Sequence, residues 1–350
     1  MGRSRAAVNR TLVALVAGVV AFGLGAFATA QRLVVNSYGG EYQDLIMEAI
    51  IEPFQEAFGV EVVYDAVGSA AEDYARIRAT RGNPGFDVVV MTAPEALQGC
   101  REGLLVEMTE DEVPNLAALN SAVRESAGPC GAVHELQYMS LLYNTNHVDP
   151  APTSWHDLWD PRWEGHVLIP DITSIMAVYL LQMSSLINGG DLQNLDPGFA
   201  ALAELAPRTV AIESSSAVMA QYVERDEAWI LPYWSGRAQF YKDEGWPVDF
   251  LIPEEGTIPL IATLSVPIGA ENRELALQFV NFWLEKEQQE AWALAYNVGS
   301  ARSDLELPED FTATQITSAE QLDQLILPDQ LEIASRRTEW AERWQREIRR

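Results

Sequence analysis

Basic residues are scarce in this chain of 350 residues, and lysine is almost absent. The chain has 23 Lys and Arg against 51 Asp and Glu, which gives a formal net charge of -28. Its only lysines are Lys242 and Lys286. Because so acidic a surface repels the phosphate backbone, the composition argues against nucleic acid as a partner.

Long apolar runs are absent beyond residue 30, which argues against an internal membrane span. The first thirty residues are different: three arginines precede an apolar segment (residues 12–27) and a small-x-small sequence that ends at Ala30. This layout predicts a secretory signal peptide over residues 1–30, cleaved after Ala30, and a periplasmic protein. An uncleaved membrane anchor is the alternative.

Cysteine and histidine are also rare. Cys100 and Cys130 are the only cysteines, and in an oxidising compartment we expect them to form a disulfide, with two buried free thiols as the alternative. The four histidines show neither HxxxH nor HExxH spacing, so we expect no metal site and no cofactor. There is no Gly-x-Ser-x-Gly sequence, and a secreted hydrolase therefore has little support. We expect a protein that is not an enzyme.

What the chain does contain is typical of a globular protein of about two lobes. Hydrophobic residues make up 48% and charged residues 21%, and this length normally divides into two cores. The mature chain begins with strand-like residues 32–37, a helical stretch that ends at Gly59 and contains Pro53, a strand at 60–64, a helix at 72–81 and a strand at 86–91. This order predicts parallel pairing in an α/β sheet.

The later residues continue the same pattern. Strands are predicted at residues 135–144, 167–169, 228–234 and 260–267, a helix start at 153–159 capped by Ser154, and helices at 174–186 and 274–292. Residues 318–350 are predicted to be helical, and the arginines near the end predict a solvated basic face at a helix C-terminus.

Several short motifs recur in an order that resembles a known family. They lie at residues 34–40, 86–92, 153–159, 164–165, 232–236, 254–256 and 277–284. Together they resemble the type 2 periplasmic solute-binding proteins of ABC importers, in the spermidine/putrescine-binding branch. The resemblance covers nearly all of residues 32–310.

The resemblance implies a two-lobed α/β fold with a double-crossover hinge. Lobe 1 would comprise residues 31–138 plus 265–312, lobe 2 residues 139–264, and residues 313–350 would form a C-terminal helical tail. A small solute would bind in the cleft between the lobes, and the closed protein, a monomer, would deliver it to the transmembrane permease subunits of an ABC transporter. A module that serves a sensor is an alternative that the sequence does not separate.

The expected ligand residues lie in loops at the carboxyl ends of strands, where an open α/β sheet forms its crevice. By resemblance, Tyr38 would be an aromatic wall and Glu41 would lie near a second such wall. Thr92 would be a small hydroxyl residue and Tyr233 an aromatic platform. From the residues themselves, backbone N–H groups, a guanidinium, hydroxyls and an aromatic ring are available in the same loops. The full predicted set is Tyr38, Gly39, Gly40, Glu41, Thr92, Asp171, Thr173, Tyr233, Trp234, Ser235, Arg237 and Thr263.

The resemblance fails where a polyamine would need carboxylates. Two of the expected acids align with Ile172 and Ile175, with Asp171 adjacent, and the third aligns with Ala262. Because a buried dication needs paired charge, we expect an anionic or zwitterionic organic solute, with polyamine binding as the alternative.

Each candidate residue also has a purely structural interpretation. Gly39 and Gly40 suit a plain turn, Tyr233 and Trp234 suit a core, Asp171 suits a helix cap, and Arg237 suits a surface ion pair.

Overall fold

The computed structural model describes residues 32–66, 69–312, 314–323 and 325–349, without the side chains of Glu41, Asp310 and Asp323. The predicted signal peptide and its cleavage site lie outside the described residues. No described helix is both long enough and apolar enough to cross a membrane. The described residues also contain no cluster of three or more His, Cys, Asp or Glu side chains suited to a metal ion.

Nine strands form the described sheet system, and helices cover its faces. The strands are β1 (Arg32–Ser37), β2 (Glu61–Ala66), β3 (Val88–Thr92), β4 (Ala132–Asn144), β5 (Val167–Pro170), β6 (Thr209–Glu213), β7 (Ile230–Trp234), β8 (Val248–Leu251) and β9 (Pro259–Ser265). The helices along the first half are α1 (Glu41–Ile46), α2 (Glu52–Phe58), α3 (Ala70–Ala79), α4 (Ala93–Arg101), α5 (Ser121–Ala127), α6 (Ile175–Ile187) and α7 (Asp196–Leu205). Those that follow are α8 (Ser216–Glu224), α9 (Ser235–Asp243), α10 (Arg273–Trp283), α11 (Lys286–Tyr296), α12 (Glu309–Thr312), α13 (Ala319–Asp323) and α14 (Gln330–Glu347). Short 3-10 helices lie at Pro114–Ala118, Trp155–Trp159, Pro161–Trp163 and Ala206–Arg208, and a π turn at Met47–Ile51 joins α1 to α2.

The strand order is β2-β1-β3-β9-β4-β7-β5-β6, with β8 on the other edge of β4. β1 pairs in parallel with β2 and β3, so the parallel βαβαβ unit predicted from the sequence is confirmed. β9 is antiparallel to both β3 and β4, which makes the whole sheet mixed. The predicted α/β fold class is therefore confirmed, with antiparallel strands at its centre.

The strand β4 belongs to both halves of the sheet system. Its first part, up to Tyr138, pairs with β9, whereas from Met139 onward it pairs with β7 and β8. Two large apolar clusters flank this change of partner. The first core is built mainly from β1, β3, α10 and α11, and the second core mainly from β5, β7, α6, α7 and α14.

Local sequence features account for most of the helix boundaries. Gly59 ends α2 with φ of 64°, in the left-handed region that glycine adopts at low cost. Pro53 lies in the first turn of α2, directly after the π turn that separates α2 from α1, a place where proline is tolerated. Ser154 and Asp157 form the expected capping box at the start of the Trp155–Trp159 turn.

The single helix predicted over residues 274–292 is wrong, because the chain breaks at Glu285 into α10 and α11. Neither glycine nor proline marks this break. Side chains from elsewhere bind the carbonyl groups at the end of α10 instead: Arg302 donates to Leu284 at 2.8 Å, and Gln289 donates to Trp283 at 3.0 Å. These contacts satisfy groups that a continuous helix would otherwise pair internally.

The disulfide between Cys100 and Cys130 is present, as predicted. Cys100 lies near the end of α4, and Cys130 lies just before β4. Cys130 is fully buried in a small apolar cluster with Phe86 and Leu105. The bond therefore fastens the α4 segment to the start of the strand that both sheet halves share.

The solvated basic face predicted at the C-terminus is present only in part, because Arg346 and Arg349 are exposed whereas Arg336 and Arg343 are half-buried. One face of this helix is buried in the second core through Trp340 and Trp344. Arg336 and Arg343 lie over aromatic rings, with Arg343 4.0 Å from the centre of the Phe199 ring. Apolar side chains spaced along the helix, rather than the arginines, determine where it lies.

Candidate functional site

The expected ligand loops all follow strands whose carboxyl ends point toward the junction of the two cores. Tyr38 follows β1, Thr92 ends β3, Asp171 follows β5 and Ser235 follows β7. The parallel pairings β1–β3 and β5–β7 place these loops in two sets, one for each half of the sheet system. The candidate site is the region between the two sets.

Tyr38 belongs to an aromatic group on the first side, whose centre is Tyr42. Its ring contacts Tyr42 edge-on, with ring centres 5.3 Å apart, and Tyr42 in turn contacts Tyr296 at 5.0 Å. The backbone oxygen of Tyr38 accepts a hydrogen bond from the Tyr64 hydroxyl at 2.5 Å. Burial, followed by the nearby carboxylates Glu95 and Glu135, holds the pKa of Tyr38 far above its usual range. Although it is surrounded in this way, Tyr38 is only half-buried.

Gly39 and Gly40 are exposed and lead into α1. Gly40 has φ of 72° and ψ of -146°, a conformation open essentially to glycine alone. Its carbonyl accepts hydrogen bonds from Gln43 and Asp44, as in a tight turn at a helix start. Glu41 begins α1, and its side chain lies outside the described residues.

Thr92 and Glu95 form a local pair at the start of α4. The Thr92 hydroxyl donates to the Glu95 carboxylate. Glu95 is 8% exposed, and its other oxygen accepts a hydrogen bond from Arg337 on α14 at 3.3 Å. The sequence prediction missed Glu95, although the spacing Thr92-x-x-Glu95 has the form of a capping box and marks this carboxylate as directed back toward Thr92.

Asp171 and Thr173 are held by Arg337 of α14 and by Arg349, which lies just beyond the end of that helix. Asp171 accepts hydrogen bonds from the Thr173 hydroxyl at 2.9 Å and from Arg349 at 2.8 Å. The backbone oxygen of Thr173 accepts from Arg337 at 2.9 Å. The N-cap of α6 is Ser174, whose side chain accepts from Met176. Both oxygens of Asp171 therefore have protein partners.

Tyr233, Trp234 and Ser235 are buried at the end of β7. Tyr233 is 1% exposed, and its hydroxyl donates to the backbone oxygen of Ser216 at 2.7 Å. The Trp234 ring contacts Tyr179 edge-on at 6.3 Å. The Ser235 hydroxyl accepts from the backbone of Tyr138 and donates to Gln315. These contacts give the three residues a structural role.

Arg237 differs from its neighbours because it is only half-buried. It lies close to Tyr233, Tyr241 and Tyr296. Among the side chains that the structure describes, no carboxylate forms an ion pair with its guanidinium group. A sheltered cation surrounded by aromatic rings is a suitable partner for an anionic group of a ligand.

Thr263 lies within β9 and is fully buried, with its hydroxyl donating to the backbone oxygen of Met91 at 3.3 Å. The three positions where polyamine carboxylates were expected are buried or half-buried. Ile172 and Ala262 are buried and Ile175 is half-buried. None of the three positions carries an acidic side chain.

Two further residues were missed by the sequence prediction. Gln330, the first residue of α14, is 2% exposed and lies within hydrogen-bonding reach of the Tyr179 hydroxyl. No sequence pattern distinguishes Gln330 from an ordinary helix-start residue.

The second missed residue is Glu135, a buried carboxylate within β4. It accepts hydrogen bonds from Gln137 at 2.7 Å, from Trp292 at 3.1 Å and from Tyr42 at 3.5 Å. Burial nevertheless raises the pKa of Glu135 from 4.5 to about 7. Alternation along a strand does not predict a carboxylate on the buried side, so only the structure reveals it.

The pKa of Glu135 predicts how stability depends on pH. The folded protein keeps this proton up to about pH 7, whereas the unfolded chain releases it near pH 4.5, so stability falls as pH rises between these values. Glu135→Gln removes this titration. We therefore expect the free energy of unfolding of the variant, taken relative to wild type, to be higher at pH 8 than at pH 5 by roughly 2 to 3 kcal/mol. Urea unfolding at the two pH values measures this difference.

Glu204→Gln, at an exposed position, is the control and should give the same small change at both pH values. The neighbouring His134, whose pKa burial lowers to about 3, has the opposite pH dependence but is common to both proteins. If the effect of Glu135→Gln on the free energy of unfolding does not vary with pH, the pKa of Glu135 is not raised in the folded protein.

Comparisons with known proteins agree with this architecture. The sequence profile of a family described as bacterial extracellular solute-binding protein matches residues 49–318. The chain is 25% identical, over 279 residues, to the spermidine/putrescine-binding periplasmic protein of Escherichia coli (strain K12), covering 78% of this chain and 79% of the relative. It is 26% identical, over 294 residues, to the gamma-aminobutyric acid-binding protein of Pseudomonas aeruginosa, covering 78% of each chain.

The fold is similar to that of a crystal structure of an ABC transporter protein from Clostridium perfringens ATCC 13124. The TM-score is 0.77 at 25% identity, and the match covers 90% of this chain and 99% of the other. The two-lobed α/β architecture expected from the sequence is thus also that of its structural neighbours.

Proposed function

Because this chain belongs to the bacterial extracellular solute-binding proteins, we propose that it captures a small organic solute between its two halves and delivers it to an ABC permease. The lobes would be residues 31–138 plus 265–312 and residues 139–264, with 313–350 as a C-terminal tail. The two separate apolar cores, joined through β4, support this division. Closure would be a hinge motion, driven only by the tighter binding of solute to the closed form.

We expect the solute to be zwitterionic. The observation that carries this expectation is the distribution of charge around the aromatic rings of the cleft. Arg237 is a half-buried cation with no described carboxylate partner, while Glu95 places negative charge near Tyr38. A carboxylate of the solute would pair with the guanidinium, and an amine would lie against the aromatic rings on the acidic side.

Polyamine binding is the second candidate, and the names of several relatives favour it. The positions where the resemblance expects polyamine carboxylates carry Ile172, Ile175 and Ala262 in this chain. A dication buried there would lack paired charge. The relative named for gamma-aminobutyric acid has a zwitterionic ligand and is similar over the same share of the chain, which supports the first candidate.

A thermal-shift screen tests the proposal. The purified protein is heated with gamma-aminobutyrate and other amino acids, with organic acids, and with spermidine and putrescine. A ligand at about 100 times its Kd adds roughly 2.7 kcal/mol of apparent stability, so a zwitterion that binds will raise the melting temperature. A response to the polyamines alone would overturn the zwitterion assignment, and a response to none of these solutes would overturn the assignment of this cleft.

The same screen applied to variants tests the site. We expect Arg237→Ala and Tyr38→Ala each to remove the ligand-induced shift. Arg225→Ala, which loses an exposed ion pair with Glu227 and a contact with the Tyr222 ring, should keep it. The shift is measured against each variant's own ligand-free melting temperature, so a general loss of stability does not affect the result. A full shift in Arg237→Ala would show that the guanidinium does not bind the solute.

Location and partners complete the proposal. We propose export with cleavage after Ala30 and action as a monomer in the periplasm, in keeping with relatives named as periplasmic proteins. N-terminal sequencing of the exported protein tests the cleavage site. Neighbouring genes for a permease and an ATPase would support an importer, whereas a neighbouring receptor gene would favour a sensor.

A further inference from the structure

The C-terminal helix α14 is attached to the second core along most of its length. Trp340 and Trp344 are buried there. Arg343 pairs with Asp196, and Arg336 donates to the backbone oxygen of Gln193 at 3.0 Å. Asp196 is the first residue of α7 and Gln193 lies just before it, so this side of the helix is attached to the second core, while another side packs against α4.

Arg337 points the other way, toward the first sheet half. Its Nη1 donates to Glu95 Oε1 at 3.3 Å, and its Nη2 donates to the backbone oxygen of Thr173 at 2.9 Å. Glu95 lies on α4, which follows β3, whereas Thr173 follows β5. One guanidinium group therefore bridges the two sets of ligand loops.

The surroundings of this pair shelter it from solvent. The Glu95 side chain is 10% exposed and the Arg337 side chain 28% exposed. α14 packs against α4 at this point, beside a cavity of about 440 Å³ lined by both helices, the start of α3 and the loop after β5. Because the pair is partly desolvated, removing one partner leaves a buried charge without compensation, which costs more than the loss of a surface ion pair.

We propose that the Arg337–Glu95 ion pair is an interlobe latch, through which the C-terminal helix favours the closed protein before solute binds. Arg337 acts as a positioning residue: it holds Glu95, which in turn accepts the hydrogen bond of Thr92 in the cleft. Without the latch, part of the binding free energy of the solute would be used to close the protein. With the latch, closure costs less free energy. The inference rests on the proposed hinge closure.

Small-angle X-ray scattering of the purified, solute-free protein, expressed as the full chain, tests the latch. For Arg337→Ala we expect the ratio of closed to open molecules to fall roughly fivefold, which corresponds to the free energy of an ion pair of this exposure. The radius of gyration should therefore increase.

Arg336→Ala is the matched control, because Arg336 lies on the same helix and its described partners, which are Glu332, Glu339, the backbone of Gln193 and the Trp340 ring, all lie outside the first sheet half. It should leave the radius of gyration unchanged. The double variant Arg337→Glu with Glu95→Arg should restore the wild-type value. If Arg337→Ala does not fold, as judged by circular dichroism, Glu95→Gln replaces it in the same measurement.

An unchanged radius of gyration in Arg337→Ala, or an equal increase in Arg336→Ala, would overturn the latch. This result is independent of the solute screen, since no solute is present. A protein that binds its solute but shows no effect of Arg337→Ala retains the proposed function and loses the latch.

Discussion

Replacing Trp344 with alanine should lower the free energy of unfolding by about 3 to 5 kcal/mol, the usual cost of removing a large aromatic side chain from a packed core. Trp344 is 0% exposed and packs into the second core together with Trp340. The substitution removes the apolar contact that holds the last two turns of α14 in place. Urea unfolding followed by tryptophan fluorescence and circular dichroism measures the change.

Phe240→Ala is the control for this substitution, because Phe240 is also aromatic but is 37% exposed on α9. Its loss should cost no more than about 1 kcal/mol, as is usual for substitutions at the surface. If the two variants unfold at the same urea concentration, α14 does not depend on the second core for its position.

Breaking the disulfide should have an effect of similar size. Cys100 and Cys130 are 30 residues apart in the chain, and for a loop of this length the chain-entropy treatment gives roughly 3 to 4 kcal/mol of stabilisation. The double variant Cys100→Ala with Cys130→Ala should therefore unfold at a lower urea concentration than the oxidised protein. Most of the difference arises because the open loop gives the unfolded chain more conformations.

A reductant separates this effect from the packing of the two side chains. Dithiothreitol should shift the unfolding of the wild type toward that of the double variant and leave the double variant itself unchanged. A wild-type protein that unfolds identically with and without reductant would refute the expected contribution of the bond.

The sequence alone predicts those parts of the fold that depend on neighbouring residues. The strand and helix order of the first unit, the left-handed end of α2 at Gly59 and the capping box at Ser154 all follow from local spacing. The disulfide follows from the presence of just two cysteines. Features that depend on distant residues were not predictable in this way, and the break between α10 and α11 is the clearest case.

The residues of the candidate site also divide into those that the sequence predicts and those that only the structure reveals. Loop positions such as Tyr38, Thr92 and Arg237 follow from strand ends and from the resemblance to a family. The role of α14 does not, because nothing within residues 330–349 shows that Arg337 lies opposite Glu95, 242 residues earlier in the chain. Buried partners such as Glu135 and Gln330 likewise have meaning only once distant elements are brought together.

The continuous strand β4 restricts how the two halves of the sheet system can move. Its backbone carries ladder hydrogen bonds to β9 before Met139 and to β7 and β8 after it. Sliding one half past the other would break a whole register of these bonds, whereas twisting needs only a few torsion angles near Tyr138 to change. We therefore expect β4 to allow the two halves to rotate relative to each other and to oppose their sliding past each other.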